Sequence, residues 1–293
     1  MSQLSIKRIN NEEVKPVKFV EEDKDKRPIA GASIFPEIYS TIFFCARKKS
    51  GKTCAVAHII DKCAIKETKV IAFVSTLHRD PTWRAIEHMC EKKGIDFTGY
   101  TSIRDDSSKE DILGTIMTTL EEIRHDENDK LKESSQPQAI ADLPTLGYDD
   151  ESSIATSKQK KPKKPKFKGP EIIFVFDDLS GELQTPSLVQ LLKKNRHFRC
   201  KVLISSQYWN DIPLQGRRQM DYVLLFKGLS QSPGKLKEIY DNCDLPVPFE
   251  VFTGIYKFCT AERFNFMYLN VPQGEFRKNF TYRIDLPKEH QED

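Results

Sequence analysis

The sequence predicts an α/β sandwich around a mainly parallel sheet, and three observations carry that expectation. Apolar runs of strand length alternate with segments whose apolar residues recur at helical spacing. One such run, Tyr39 to Cys45, empties into a short loop that ends Gly51-Lys52-Thr53. Another, Glu171-Ile-Ile-Phe-Val-Phe176, carries no polar interruption before Asp177-Asp178, the pattern of a central strand with helices over both faces.

The elements follow in order. Residues 1–36 are charged and Pro-punctuated around Glu21-Glu-Asp-Lys-Asp-Lys-Arg27, so they read as a polar arm ahead of a domain over 37–293. After the Gly51-Lys52-Thr53 loop, Cys54 to Ala64 reads as a helix and Lys69 to Val74 as a buried strand. Pro81 opens a second helix from its first turn, and Ile95 to Tyr100 fits a third strand. Between Lys109 and Ile123 the apolar residues Ile112, Leu113, Ile116, Met117, Leu120 and Ile123 keep helical spacing. From about 125 to 170 the chain turns Ser-, Pro- and Lys-rich and ends in the tract Lys158 to Lys168, an expected unstructured insertion. Such a tract reads as a solvated linker, a nuclear localisation signal or a flexible contact to nucleic acid. Beyond it, Gln184 to Lys194, Ser232 to Asp241 and Phe249 to Cys259 read as helices, and Lys201 to Ser206 and Asp221 to Phe226 as strands. Phe264 to Leu269 and Phe276 to Ile284, joined through Pro272-Gln-Gly274, predict a closing hairpin.

Composition narrows the class. A net charge of +3 over 293 residues leaves any electrostatic role to local clusters. No apolar stretch approaches the roughly 20 residues that span a bilayer, and Met1 to Ser5 lacks a signal peptide's apolar core, so an intracellular soluble protein is expected. The seven Cys form no C-x-x-C pair and no zinc-ligand spacing, which predicts buried thiols in a reducing compartment.

Gly51-Lys52-Thr53 between a strand and a helix is the end of a P-loop. Such a loop lets backbone N–H groups curl around phosphates, with Lys reaching the β and γ oxygens and Thr or Ser holding Mg²⁺. The nucleotide-binding residues expected here are Ala46, Lys49, Ser50, Gly51, Lys52 and Thr53, with ATP and Mg²⁺ as the ligands. Ala46 stands where the first glycine of the pattern belongs. A non-glycine forced into a left-handed conformation there would cost on the order of 1 kcal/mol, but Ala is the smallest alternative and a loop leaving the strand at a different angle avoids that cost. Asp177, at the carboxyl end of a neighbouring strand, is the expected second metal ligand beside Thr53. Asp178 is placed to polarise the attacking water, and Gln207, just past the next strand, to sense the γ-phosphate. Arg217 is a candidate for neutralising the transferred phosphoryl group, in cis or from a neighbouring subunit.

The order of these motifs resembles one family. The P-loop is followed by Val74-Ser-Thr-Leu-His-Arg-Asp-Pro-Thr-Trp83, Phe176-Asp-Asp-Leu179, Asn195-Arg-His197, Ser206-Gln207, Pro213-Leu-Gln-Gly-Arg217 and Asp221 to Phe226. This is similar to the genome-packaging ATPases of poxviruses, other nucleocytoplasmic large DNA viruses and virophages, in the FtsK/HerA branch of P-loop motors. It departs at Ala46 and at Gln219. The resemblance implies an additional-strand P-loop fold and an ATP-driven ring that threads double-stranded DNA into a preformed capsid. By the same resemblance Lys52 and Thr53 bind phosphate and Mg²⁺, Asp177 completes the metal site, Asp178 is the catalytic acid, Gln207 the sensor and Arg217 the finger. It further implies the host cytoplasm or a viral factory, with the virion, or through the Lys-rich tract the nucleus, left open. Two other readings stand beside it: a related translocase or helicase in replication or repair, and a nucleotide-binding scaffold with weak turnover.

Overall fold

The computed structural model describes residues 25–105, 108, 110–134, 166–179, 181–229 and 233–286. In chain order the elements are β1 (Thr41–Cys45), α1 (Lys52–Cys63), β2 (Lys69–Val74), α2 (Pro81–Lys93), β3 (Asp96–Tyr100) and α3 (Ile112–Ser134). They continue with β4 (Ile172–Asp177), α4 (Pro186–Lys194), β5 (Cys200–Ser206), the single turn α5 (Leu214–Arg217), β6 (Tyr222–Phe226), α6 (Pro233–Cys243) and α7 (Phe249–Cys259). The chain closes with β7 (Phe266–Asn270), β8 (Glu275–Lys278) and β9 (Tyr282–Arg283).

Among the described residues one sheet of nine strands runs β3-β2-β4-β5-β1-β6-β7-β8-β9. The six strands from β3 to β6 pair in parallel, and the last three pair antiparallel. β5 lies between β1 and β4, so the loop strand and the acid strand are separated by one inserted strand, as the family resemblance implies.

The continuous apolar runs divide between the two faces because neighbouring side chains on a strand point in opposite directions. Phe43, Phe73, Phe174, Phe176, Val202 and Ile204 pack against residues of α3, α4, α6 and α7. Ile42, Phe44, Val70, Ala72, Ile173, Val175 and Leu203 pack against α1 and α2. All five residues of β1 and all six of β4 are buried, which explains their lack of polar alternation.

Three boundaries differ from those expected. Residues 1–24 of the expected arm lie outside the described residues, but its last part packs on the domain: Ile34 and Phe35 are buried, and Phe35 lies 4.6 Å from the Tyr222 ring and 5.9 Å from that of Tyr268. The Tyr268 hydroxyl donates to the Ile34 carbonyl at 3.0 Å, and Ala30 N donates to the Lys168 carbonyl at 2.8 Å. α3 continues to Ser134, well past Ile123 where the continuous apolar stripe ends, so the first residues of the expected insertion are helix. Lys158 to Pro165 of the Lys-rich tract lie outside the described residues. The expected hairpin turns at Gly274, where φ is 60°, and Asn279, at φ 56°, breaks its second arm to give the extra strand β9. Among the described residues no helix is long and apolar enough to cross a membrane.

Candidate nucleotide-binding site

The loop leaves β1 without strain at Ala46. That residue is buried, has no positive φ, and its N–H donates to the Ser206 carbonyl at 3.0 Å, so it prolongs the β1–β5 ladder by one residue. The left-handed positions fall later, at Lys49 with φ 61° and at Gly51 with φ 93°. A glycine at 46 is therefore not needed in this loop.

Gly51 precedes α1 and offers no side-chain cap. Ala55 N is the first amide of α1 to find a helical partner, the Gly51 carbonyl at 3.1 Å, which leaves the preceding amides for an anion. The helix dipole favours negative charge at the same place. The Ser50 hydroxyl, in the loop itself, is buried and finds no hydrogen-bond partner among the described residues.

Two carboxylates, the last residue of β4 and the one after it, meet the loop lysine. Lys52 is 7% exposed and Asp177 3%, and Lys52 Nζ hydrogen-bonds Asp178 Oδ1 while lying 3.0 Å from Asp177 Oδ1. That second approach is close but poorly aligned, so Asp177 Oδ1 has no hydrogen-bond donor. Its other oxygen, Oδ2, accepts from the indole Nε1 of Trp83 at 3.2 Å. Asp178 sits at φ 56°, a conformation Asp tolerates better than most residues, and its N–H donates to the Ser205 carbonyl at 3.3 Å. Non-glycine residues in this region gather at functional sites, because the surrounding structure must hold them there.

These groups open on a cleft of about 320 Å³. The loop supplies Lys48, Lys49, Gly51, Lys52 and Thr53, and β4 supplies Asp177 and Asp178. A third wall comes from the β2–α2 connection through Thr76, Asp80 and Thr82. Asp80 also caps α2, its Oδ1 accepting from Thr82 N at 2.8 Å. Reading the sequence motif by motif missed this wall and the Trp83 contact. The available signal was position: Val74 to Trp83 follows a strand that ends beside β4.

The residues fit a bound Mg²⁺. Thr53 and Asp177 present hard oxygen donors, and the buried Asp177 Oδ1 has a free acceptor position that such an ion satisfies.

Two predicted residues are not brought to this cleft. Gln207 follows β5, between the loop strand and the acid strand, but it lines a neighbouring cleft of about 370 Å³ with Arg47, Lys48, Tyr208 and Lys235. Lys48 is the residue common to both. Arg217 turns from α5 toward α6, donating to Asn210 Oδ1 at 2.6 Å and to Glu238 Oε1 at 3.2 Å. Its side chain is 15% exposed and does not reach the phosphate loop of its own chain. The carboxylate of α6 thus holds the guanidinium that sequence spacing alone left without a partner.

No protein-family model and no curated protein matches the chain. Among solved structures it is similar to the genome packaging NTPase B204 from Sulfolobus turreted icosahedral virus 2 in complex with AMP. Identity is 13% and the TM-score 0.47, over 83% of this chain and 98% of that one. It is also similar to B204, the DNA-packaging ATPase from Sulfolobus turreted icosahedral virus, at 14% identity and TM-score 0.47 over 82% and 96%. A more distant likeness, at 12% identity and TM-score 0.34, covers 64% of this chain and 19% of the cytoplasmic domain of the Thermomonospora curvata type VII secretion ATPase EccC. These likenesses concern the fold. The site stands on this chain's own residues.

Seven thiols complete the picture of the described residues. Six are buried, as predicted, and burial pushes Cys45 up to about 12 and Cys90 up to about 11. Cys54 departs from that expectation, being exposed in the first turn of α1 and lining the cleft.

Proposed function

We propose that this chain is a Mg²⁺-dependent P-loop NTPase that drives double-stranded DNA into a preformed capsid as one subunit of a ring. The observation that carries the NTPase reading is the meeting of Lys52 with Asp177 and Asp178 at the carboxyl ends of strands separated by β5. Without nucleotide, Lys52 is neutralised by two carboxylates. An arriving triphosphate competes for the same ammonium and takes its place against Lys52, while the free amides of α1 receive the other phosphate oxygens. Asp178, released from Lys52, is then an acceptor for the proton of an attacking water. Bound Mg²⁺, held by Thr53 and Asp177, supplies charge neutralisation at the phosphates.

The motor and packaging part of the reading is supported by the motif order that follows the P-loop. Gln207 and Arg217 serve in it as groups that a neighbouring subunit or a nucleotide-induced shift brings into use. Their distance from the cleft also favours the second reading, a nucleotide-binding scaffold with weak turnover.

Asp178→Asn separates binding from chemistry. It removes a carboxylate that competes for Lys52, so ATP affinity is expected to be retained or improved, while turnover falls roughly a hundredfold or more. Binding by calorimetry and phosphate release in single turnovers measure the two. Unchanged turnover would remove Asp178 from the mechanism.

A further inference from the structure

Beside the phosphate cleft lies a second cavity of about 420 Å³, within the size range of small-molecule sites. The two adjoin at Gly51 and Cys54, where the loop becomes α1. Its walls are aromatic: Phe226 from β6, Phe266 from β7, Phe264 just before it, and Phe280 between β8 and β9. Three of these rings brace one another, Phe226 against Phe266 at 4.9 Å and Phe266 against Phe280 at 5.0 Å. Phe264 does not join that brace. It is 56% exposed, stands at φ 69°, and its ring edge would lie 3.3 Å from any Cβ added at Gly51. A large apolar ring is thus held in solvent against the one loop position that has no side chain. Arg263 lies 4.7 Å from the Phe264 ring centroid but does not line the cavity.

The polar side chains on the walls are few. His58 stacks on Phe280 at 5.7 Å with the planes 18° apart, and Cys54 offers a weak thiol. Among the described residues no amide or carboxylate side chain lines the cavity. A neutral imidazole has one donor and one acceptor that exchange with the tautomer, so His58 can face either an amino or a carbonyl group on a ring edge. Discrimination between such edges needs fixed groups that the wrong ligand would leave unpaired, and the walls supply none.

We propose that this cavity takes the purine base of the nucleoside triphosphate whose phosphates occupy the loop, that Phe264 is the ring that holds it, and that ATP and GTP are accepted alike. The inference rests on the nucleotide reading of the loop. Continuity with the phosphate cleft selects a nucleobase as the occupant, since one ligand spans both cavities from the amides of α1.

The test is equilibrium binding of ATP, GTP and inorganic tripolyphosphate to the full chain, to Phe264→Ala and to Phe264→Tyr, with the mass of each protein in solution recorded. ATP and GTP are expected to bind the wild type within about tenfold of each other, since no fixed edge contact separates them. Phe264→Ala is expected to weaken both by roughly tenfold, the scale of one lost base–aromatic stack, with tripolyphosphate unchanged and Phe264→Tyr restoring affinity. A wider gap between ATP and GTP overturns base indifference. Phe264→Ala binding ATP like the wild type overturns the base site while leaving the loop reading intact; if its mass falls as well, the face belongs to a second copy of the chain. Should the wild type bind neither ATP nor tripolyphosphate, the loop reading falls and this inference with it.

Discussion

Trp83 donates its indole N–H to Asp177 from a position where none of the ring meets solvent. Under the proposed function, that bond fixes which carboxylate oxygen would be left for Mg²⁺, and second contacts of this kind typically change metal affinity by about 10–100-fold. Trp83→Phe keeps an aromatic ring in the core but removes the donor. It is expected to raise the Mg²⁺ concentration needed for tight nucleotide binding by about tenfold, with smaller change in Mg²⁺-free binding. A magnesium titration of nucleotide binding measures it, and equal weakening with and without Mg²⁺ would point to lost packing instead. At this scale the sequence was legible wherever chemistry dictates residue type: Gly51, Lys52, Asp177 and Asp178 meet as their types require. Ala46 was legible as a departure that a differently angled exit would absorb, and the ladder bond to Ser206 adds that the tight turn falls later, at Lys49 and Gly51. The contact of Arg217 with Glu238 was not legible, because Glu238 lies on a helix that no local pattern ties to it.

Among the elements, the segment before β1 changes most on seeing the fold. Its sequence is dominated by charge, and the two adjacent apolar residues Ile34 and Phe35 give no periodicity to detect. They nonetheless close the core beneath Tyr222 and Tyr268. Phe35→Ala is expected to cost about 3–5 kcal/mol in urea unfolding, the range for a fully buried ring. A loss under about 1 kcal/mol would return the segment to the status of an arm, since surface substitutions stay within that size. α3 was cut short for the converse reason. Its apolar stripe stops, but Glu, Arg, Asp and Lys remain good or tolerated helix residues. Buried Arg124 then anchors that stretch, donating to Glu127 at 2.9 Å and to Glu171 at the start of β4. Strands fared better. β2 and α7 fall within the expected bounds because buried parallel strands and amphipathic helices announce themselves by composition.

For the whole molecule, the parallel pairing of the first six strands follows from the alternation of elements and the inserted strand from the family resemblance, whereas the crowded end of the sheet opposite the site follows from neither. There Lys201 is buried and donates to the Glu37 carbonyl at 3.0 Å and the Ser40 hydroxyl at 2.6 Å. Burial pulls its pKa down from 10.5 to about 8. Below pH 8 the lysine is charged in both folded and unfolded chains, and the cost of burying it is fully present. Between about 8 and 10.5 the folded chain gives up its proton first, the unfolded chain binds more protons, and this group's contribution to stability rises with pH. Wild type is therefore expected to gain up to about 3 kcal/mol relative to Lys201→Met between pH 7.5 and 10.5. Urea unfolding of both proteins under reducing conditions checks this, and parallel pH profiles would show that Lys201 is neutral or solvated throughout. The same sheet delivers the loop and the acids to one edge, and the central claim concerns what happens there. Its most direct test is NTP hydrolysis by the full chain with and without double-stranded DNA, beside Lys52→Ala. The motor reading predicts hydrolysis that DNA stimulates and that Lys52→Ala abolishes; a folded, nucleotide-bound oligomer whose turnover ignores DNA would contradict it.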